Sequence, residues 1–295
     1  MTDTPLRYDT VSFLSDYGHT DEFVGIVHSV IRQLAPAVRV IDITHEVPAY
    51  DVRSGALTLG RAAQYLAPGV VVAVVDPGVG TSRRAIAVEV GDGQSVLIGP
   101  DNGVLAAAVA VVGGATRAVH LDDPEYHLAS PGPLFDGRDI FAPAAAHLCN
   151  GVPLEVMGTV IDPAGLMPAT LPISERTDDG VTTEVLWIDR YGNLQLNADP
   201  DEVGELGEHL ELRIERPGAT PVVRTVRRTD SFAEVGTGAI GLVLDSYGAL
   251  ALVMNRASAA AELELGTGES VLLRSLDDDE TPAVTTPVQL GAPRR

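Results

Sequence analysis

Over its first 160 or so residues the chain alternates two textures, which confines it to a small set of folds. "TVSFLSDYG" is an apolar run that breaks into a loop, and "DEFVGIVHSVIRQLAP" then repeats apolar residues at helical spacing until Pro36 stops it. "VRVIDITHEV" reads as the next strand, "DVRSGALTLGRAAQYL" as the next helix and "GVVVAVVD" as a third strand. "RRAIAVEV" and "QSVLIGPDNGVLAAAVAVV" add two strands and a helix, and "DIFAPAAAHLCNG" is a short helix ended by Gly151. Strands separated by helices of this length pack as a mostly parallel sheet with helices on its faces. Residues 8–165 therefore predict an N-terminal α/β domain of the Rossmann-like kind.

The texture then changes. Residues 166–180, rich in proline and turn formers, read as a linker. Residues 181–275 hold short strands broken by Gly, Pro, Asp and Asn ("VTTEVLWIDRYGNLQLN", "HLELRIE", "VVRTVRRT", "GAIGLVLDSYGALALVMN", "ESVLLRSL"), the pattern of a smaller antiparallel β-barrel domain. The polar, proline-containing residues 276–295 read as a disordered tail.

Composition narrows the function classes. The formal net charge is −21, and all 20 basic residues are arginine. Without lysine there is no Schiff base, no P-loop lysine and no Ser-Lys dyad. A nucleic-acid surface needs a basic stripe; the one local candidate, "RPGATPVVRTVRR", alternates like a solvated sheet face. No apolar run is long enough to span a membrane. The N-terminus lacks the basic-then-apolar pattern of a signal peptide, and a single cysteine, Cys149, fits a reducing compartment. The expectation is a cytoplasmic protein bound to neither nucleic acid nor membrane.

The chemistry gathers around "VVDPGVGTSRR". This is no Walker loop, because no Gly-Lys-Ser/Thr follows the glycines and the next segment alternates like a strand rather than opening a helix. Taken alone, the stretch is a Pro-Gly turn between strands with Asp76 as a cap. Other acids weigh against that reading: Asp16 and Asp21 in "SDYGHTDEF", Asp101 beside Asn102 in "GPDNGVL", and Asp136 and Asp139 in "LFDGRDIFAP". In an open α/β sheet ligands bind beyond the carboxyl ends of the strands, where Asp16 and Asp76 fall.

Seven stretches in order, "SDYGHTDEFVG", "DITHEVPAYDV", "VVDPGVGT" with Arg83, "GPDNGVL", "GRDIFAPAAA", "IDRYGN" and "LDSYGALALVMN", resemble the S-adenosylmethionine hydroxide adenosyltransferase family. That family is related to the fluorinating and chlorinating S-adenosylmethionine enzymes. The resemblance covers residues 11–273. It implies attack on C5′ of S-adenosylmethionine with methionine as leaving group: water gives adenosine in the hydrolytic members, and halide gives a halonucleoside in the others. Halogenating members carry a tyrosine where this chain has Asp76, so the resemblance points to water. It casts Asp76 as proton acceptor, with Arg83 favouring developing hydroxide.

The family triad is completed by histidine in "TFHGRD", where this chain reads "LFDGRD" with Asp136 in that place. Three outcomes stay open: Asp136 and Asp76 act as coupled carboxylates around Arg83, His127 of "PEYHL" folds into the position, or activity is reduced or lost. For the substrate, the resemblance assigns Asp16 to the ribose diol and Tyr50 to packing against the sugar. It assigns Asp189 and Asn193 to the methionine ammonium and the adenine edge, Ser246 to the methionine end, and Met254 to a backbone contact with adenine. It implies no cofactor and no metal, and a homotrimer with the site between subunits. The alternatives are a chlorinase-like halide transfer, for which Gly137 speaks and Asp76 against, and a non-catalytic adenosine or S-adenosylmethionine binder.

Overall fold

A computed structural model describes residues 6–170 and 172–276. The chain divides into two compact units, Met1–Leu171 and Pro172–Arg295.

The first unit contains strands β1 (Thr10–Ser15), β2 (Arg39–Thr44), β3 (Val70–Val74), β4 (Ala85–Val90), β5 (Ser95–Pro100), β6 (Ala115–His120) and β7 (Thr159–Ile161). Its helices are α1 (Phe23–Leu34), α2 (Val52–Ala63), α3 (Ala106–Val111) and α4 (Ala142–Cys149). The strands form one seven-stranded sheet in the order β2-β1-β3-β5-β4-β6-β7. The parallel character is carried by β2-β1-β3-β5, while β4, β6 and β7 join antiparallel and make the sheet mixed.

Every residue of β1 and β3 is buried, because helices cover both faces of the sheet. The pleat sorts their side chains into two cores. Phe13, Val72 and Ile98 pack with Val27 and Ile31 of α1 and the alanines of α4, and Leu14, Val71, Ala73 and Leu97 pack with Leu59 of α2 and Ala108 of α3. A run such as "VVVAV" is apolar at every position for that reason.

Strand order also excludes a hairpin at Asp76. β3 and β4 are consecutive but not neighbours, since β5 lies between them, so residues 75–84 form a crossing loop rather than a hairpin. Because β4 runs antiparallel to β5, Ala85 pairs with Pro100. Arg83 and Arg84 therefore enter β4 at the same sheet edge where the parallel strands end. The loops at that edge are tied together: Asp16 N–H donates to Val74 O (3.3 Å) and Gly18 N–H to His45 O (2.8 Å).

The second unit contains β8 (Glu175–Thr177), β9 (Gly180–Ile188), β10 (Leu194–Leu196), β11 (His209–Ile214), β12 (Val222–Arg228), β13 (Ile240–Leu244), β14 (Leu250–Val253) and β15 (Ser270–Ser275), with α5 (Pro200–Gly204) and α6 (Ala259–Leu263). Pairing runs β10-β14-β13-β12-β11-β15-β9, and a β9–β10 ladder closes the ring, with β8 added on β9. This is a closed seven-stranded barrel in which β12–β13 alone is a parallel pair. Alternation is clean in β11, whose Leu210, Leu212 and Ile214 point into a core with Val181, Leu194, Leu252 and Leu273.

Within the stretch expected as a linker, Met167 N–H donates to Asp101 Oδ1 (2.8 Å) and β8 forms a short hairpin with β9. The expected disordered tail lies outside the described residues except for Leu276, whose N–H donates to His209 O (3.2 Å).

Candidate active site

The loop after β3 folds back on itself. Val79 N–H donates to Asp76 O (3.3 Å), the Thr81 hydroxyl to Gly78 O (2.7 Å), and Arg83 N–H to Thr81 Oγ1 (3.3 Å). This turns the Arg83 guanidinium onto Asp76. Its Nε donates to Asp76 Oδ1 (3.1 Å), one terminal nitrogen donates to Asp76 Oδ2, and the same nitrogen donates to Asp136 Oδ2 (2.5 Å). All three side chains are nearly buried, at 6–12% exposure. Gly80 at φ +78° brings the loop against Leu134, where a Cβ would collide, so this loop and the segment carrying Asp136 are in contact.

Asp136 precedes a π-helical turn, Gly137–Phe141, that runs into α4. Gly137 has no room for a side chain, since a Cβ there would run into the Tyr17 hydroxyl. Tyr17, Phe23 and Phe135 meet pairwise with ring centroids 5.2–5.7 Å apart, two of the three pairs edge-on. The Arg83 guanidinium lies 5.7 Å from the Phe141 ring centroid. The charged cluster thus has an aromatic floor.

Burial pushes the Asp76 carboxyl above its usual range; Arg83 opposes that and Asp136 adds to it. Burial, reinforced by Asp16, Asp76 and Asp136, pushes the Tyr17 phenol far upward, so it stays a neutral hydroxyl beside the carboxylates. Two carboxylates contact the single guanidinium and a third, Asp16, acts on the neighbouring Tyr17, so the cluster is negative and favours a cationic ligand.

Asp16 Oδ2 accepts the Tyr50 backbone N–H (2.9 Å). Tyr50 sits at φ +67°, a strained conformation for a bulky residue, with its ring three-quarters exposed. Asn102 donates Nδ2–H to Val75 O (2.8 Å) and accepts Val104 N–H on Oδ1 (3.1 Å), bracing the backbone just before Asp76.

Asp16, Asp76 and Asp136 therefore come together with Arg83, and the other acids at this edge do not join them. Asp101 is held by Arg84 and Asp139 by Arg138 (2.6 Å), while Asp21 is on the surface. His127 does not fill the triad position either: its Nε2 lies 3.1 Å from Leu121 O. Tyr17 and the Phe23–Phe135 pair were not legible as site residues, although Tyr17 follows Asp16 directly in "SDYG".

In the barrel, Asp189 and Asn193 belong to one hairpin turn. Asp189 Oδ1 accepts the N–H groups of Tyr191 (2.8 Å) and Asn193 (2.9 Å), and its Oδ2 accepts Asn193 Nδ2–H (2.7 Å). The turn "DSYGA" repeats this geometry, with Asp245 Oδ1 accepting from Tyr247 (2.8 Å) and Ala249 (3.0 Å). Ser246 is exposed at the second position of that turn. Met254 is buried and bridges to Ala257 at the end of β14.

Residues 11–158 match the family model described as the SAM hydroxide adenosyltransferase N-terminal domain, and residues 183–272 match that of its C-terminal domain. The chain is similar to the (R)-S-adenosyl-L-methionine hydrolase of Salinispora tropica, 44% identical over 88% of this chain and 95% of that one. The (R)-S-adenosyl-L-methionine hydrolase of Thermus thermophilus is 39% identical over 89% and 98%. A fluorinase of Nocardia brasiliensis is 29% identical over 93% and 99%. Among solved structures, an uncharacterized conserved protein from Thermotoga maritima superposes with a TM-score of 0.81 at 31% identity, over 90% of this chain and 99% of that one.

Proposed function

The chain belongs to the SAM hydroxide adenosyltransferase family, and on that premise we propose that it hydrolyses S-adenosylmethionine to adenosine and methionine. The arrangement that carries this reading is Arg83 held between two carboxylates at the carboxyl edge of the sheet. Attack of water oxygen on C5′ forms a C–O bond and breaks the C5′–S bond. The bonding pair moves onto sulfur, which leaves as the neutral thioether of methionine. The sulfonium is already a good leaving group, so what the protein adds is alignment of the water and acceptance of its proton. Asp76 takes that proton; the upward push of burial on its pKa makes it a stronger base than an exposed aspartate. Arg83 stabilises the oxygen as it gains hydroxide character. Asp136 accepts from the terminal nitrogen of Arg83 that also binds Asp76, at the position that histidine occupies in the family pattern.

Asp16 is assigned to the ribose diol and Tyr50 to packing against the sugar. Their backbone link supports the pairing, because it fixes the carboxylate while leaving the tyrosine ring free. Asp189, Asn193, Ser246 and Met254 are assigned to the methionine and adenine ends. Asp189 and Asn193 use much of their hydrogen-bonding capacity on their own turn, so we assign them recognition through the groups left over and through the turn's backbone. We further propose a homotrimer, since the substrate groups are divided between the two units.

The test is incubation with S-adenosylmethionine in chloride buffer, each sulfonium epimer in turn, followed by separation of the nucleosides. Adenosine supports hydrolysis. 5′-Chloro-5′-deoxyadenosine would support halide transfer, and unchanged substrate of both epimers would leave a binding protein.

A further inference from the structure

Apart from the Asp76 cluster, three side chains from separate parts of the first unit converge: His28 within α1, Asp42 on β2, and His45 just after that strand. His28 Nε2 lies 2.8 Å and His45 Nε2 3.0 Å from the same oxygen, Asp42 Oδ1. All three ligand-type atoms fall within 4.8 Å of one another.

The His45 ring is fully buried and fixed on every side. Its Nδ1 is 2.7 Å from Ser15 Oγ, which also accepts Tyr17 N–H (3.3 Å). Phe13 lies against it at 4.6 Å, and His19 meets it edge-on at 5.3 Å. Its Nε2 is buried without a hydrogen-bond partner, because the approach to Asp42, though close, is off the line that an N–H needs. A buried imidazole nitrogen left without a well-aligned hydrogen bond beside a carboxylate oxygen is a costly arrangement. A cation shared by the two relieves it.

We propose that His28, Asp42 and His45 bind a divalent transition-metal ion, with zinc the best match. Two imidazoles and one carboxylate are a donor set that zinc favours, with bonds of about 2.0–2.2 Å. Oxygen-only ions such as calcium and magnesium would not select two histidines. A neutral His45 that donates Nδ1–H to Ser15 places its lone pair on Nε2, the atom that faces Asp42. His28 and Asp42 are each about one-third exposed, which leaves a fourth position open to water and the ion exchangeable. The ion ties α1 to β2 and, through Ser15, to the residue preceding Asp16.

The full-length protein is treated with a chelator, then titrated with cobalt(II) and zinc(II) and followed by calorimetry and by the visible absorption of cobalt. One saturable site per chain is expected, with the absorption of low-coordinate cobalt displaced by zinc and a higher unfolding midpoint in zinc. Asp42→Asn and His28→Gln, at partly exposed positions that leave the buried His45 intact, should each weaken binding by at least about tenfold. His120→Gln, at a histidine that pairs with Asp122 on a distant strand, should leave binding unchanged. Absence of saturable binding, or binding that survives both Asp42→Asn and His28→Gln, overturns the site.

Discussion

Asp76 holds an ionised carboxylate where burial disfavours one, and the two functional consequences have opposite signs. As the proposed base it works only when ionised, so adenosine formation should fall as pH drops through its raised pKa. For stability, an acid whose folded pKa lies above its unfolded value contributes most below the unfolded value, 3.8, and loses that contribution as pH rises through the folded one. Asp76→Asn should therefore slow adenosine formation by about a hundredfold or more while nucleoside binding persists. In pH-dependent denaturation, wild type should gain stability relative to that variant as pH falls from 7 toward 4. Near-normal turnover in the variant would remove Asp76 from the mechanism. At the next position of the cluster, Asp136→His should preserve or raise the rate and bring in a titration near about pH 6.5. Asp136→Ala should slow the reaction by removing one of the two carboxylates that fix Arg83, and His127→Ala should be silent because that ring is engaged by Leu121 O. A damaging His127→Ala beside a harmless Asp136→Ala, in steady-state assays, would reverse the assignment.

Among the elements, the π-helical turn at Gly137–Phe141 and the β1 loop lock together through a missing methyl group. Gly137→Ala should destabilise the protein by about 1–3 kcal/mol, the usual cost of overpacking, and lower its activity. Tyr17→Phe in the same chain should recover part of the stability, since the added Cβ meets the hydroxyl oxygen; thermal denaturation of the double variant checks this. The same elements show what a linear reading can and cannot reach. α1 and α2 were legible because their apolar residues recur at helical spacing, and β1 and β3 because double burial makes them apolar throughout. β6 was not, because "ATRAVH" exposes Thr116 and Arg117 and shows neither pattern cleanly. β7 and β8 are three residues each, too short to carry a period. At the site, Asp76 with Arg83 was legible because both partners lie in one loop, and Asp136 because it stands in a recognisable motif. The pairing of Asp101 with Arg84 depends on β4 and β5 being neighbours, which spacing along the chain does not reveal. The histidine pair around Asp42 was hidden for the same reason, with its members on a helix, a strand and a loop.

For the whole molecule, the proposed division of substrate groups between two units predicts an obligate homotrimer, and sedimentation of the active enzyme checks it: a fully active monomer would contradict the proposal. Among the described residues no helix is long and apolar enough to cross a membrane. The ring closure of the barrel has a consequence of its own. Because β15 pairs antiparallel with β9, with Leu273 opposite Val181, the chain leaves the barrel beside the point where it entered. The order in which the strands are strung is then separable from the way they pair. A circular permutant that links the end of β15 to the start of β9 and opens the exposed turn at Pro217 and Gly218 would keep every ladder of the ring. The barrel is, in that sense, a cassette with adjoining ends, suited to being lifted out, inserted elsewhere or exchanged between relatives without redesign of its interior.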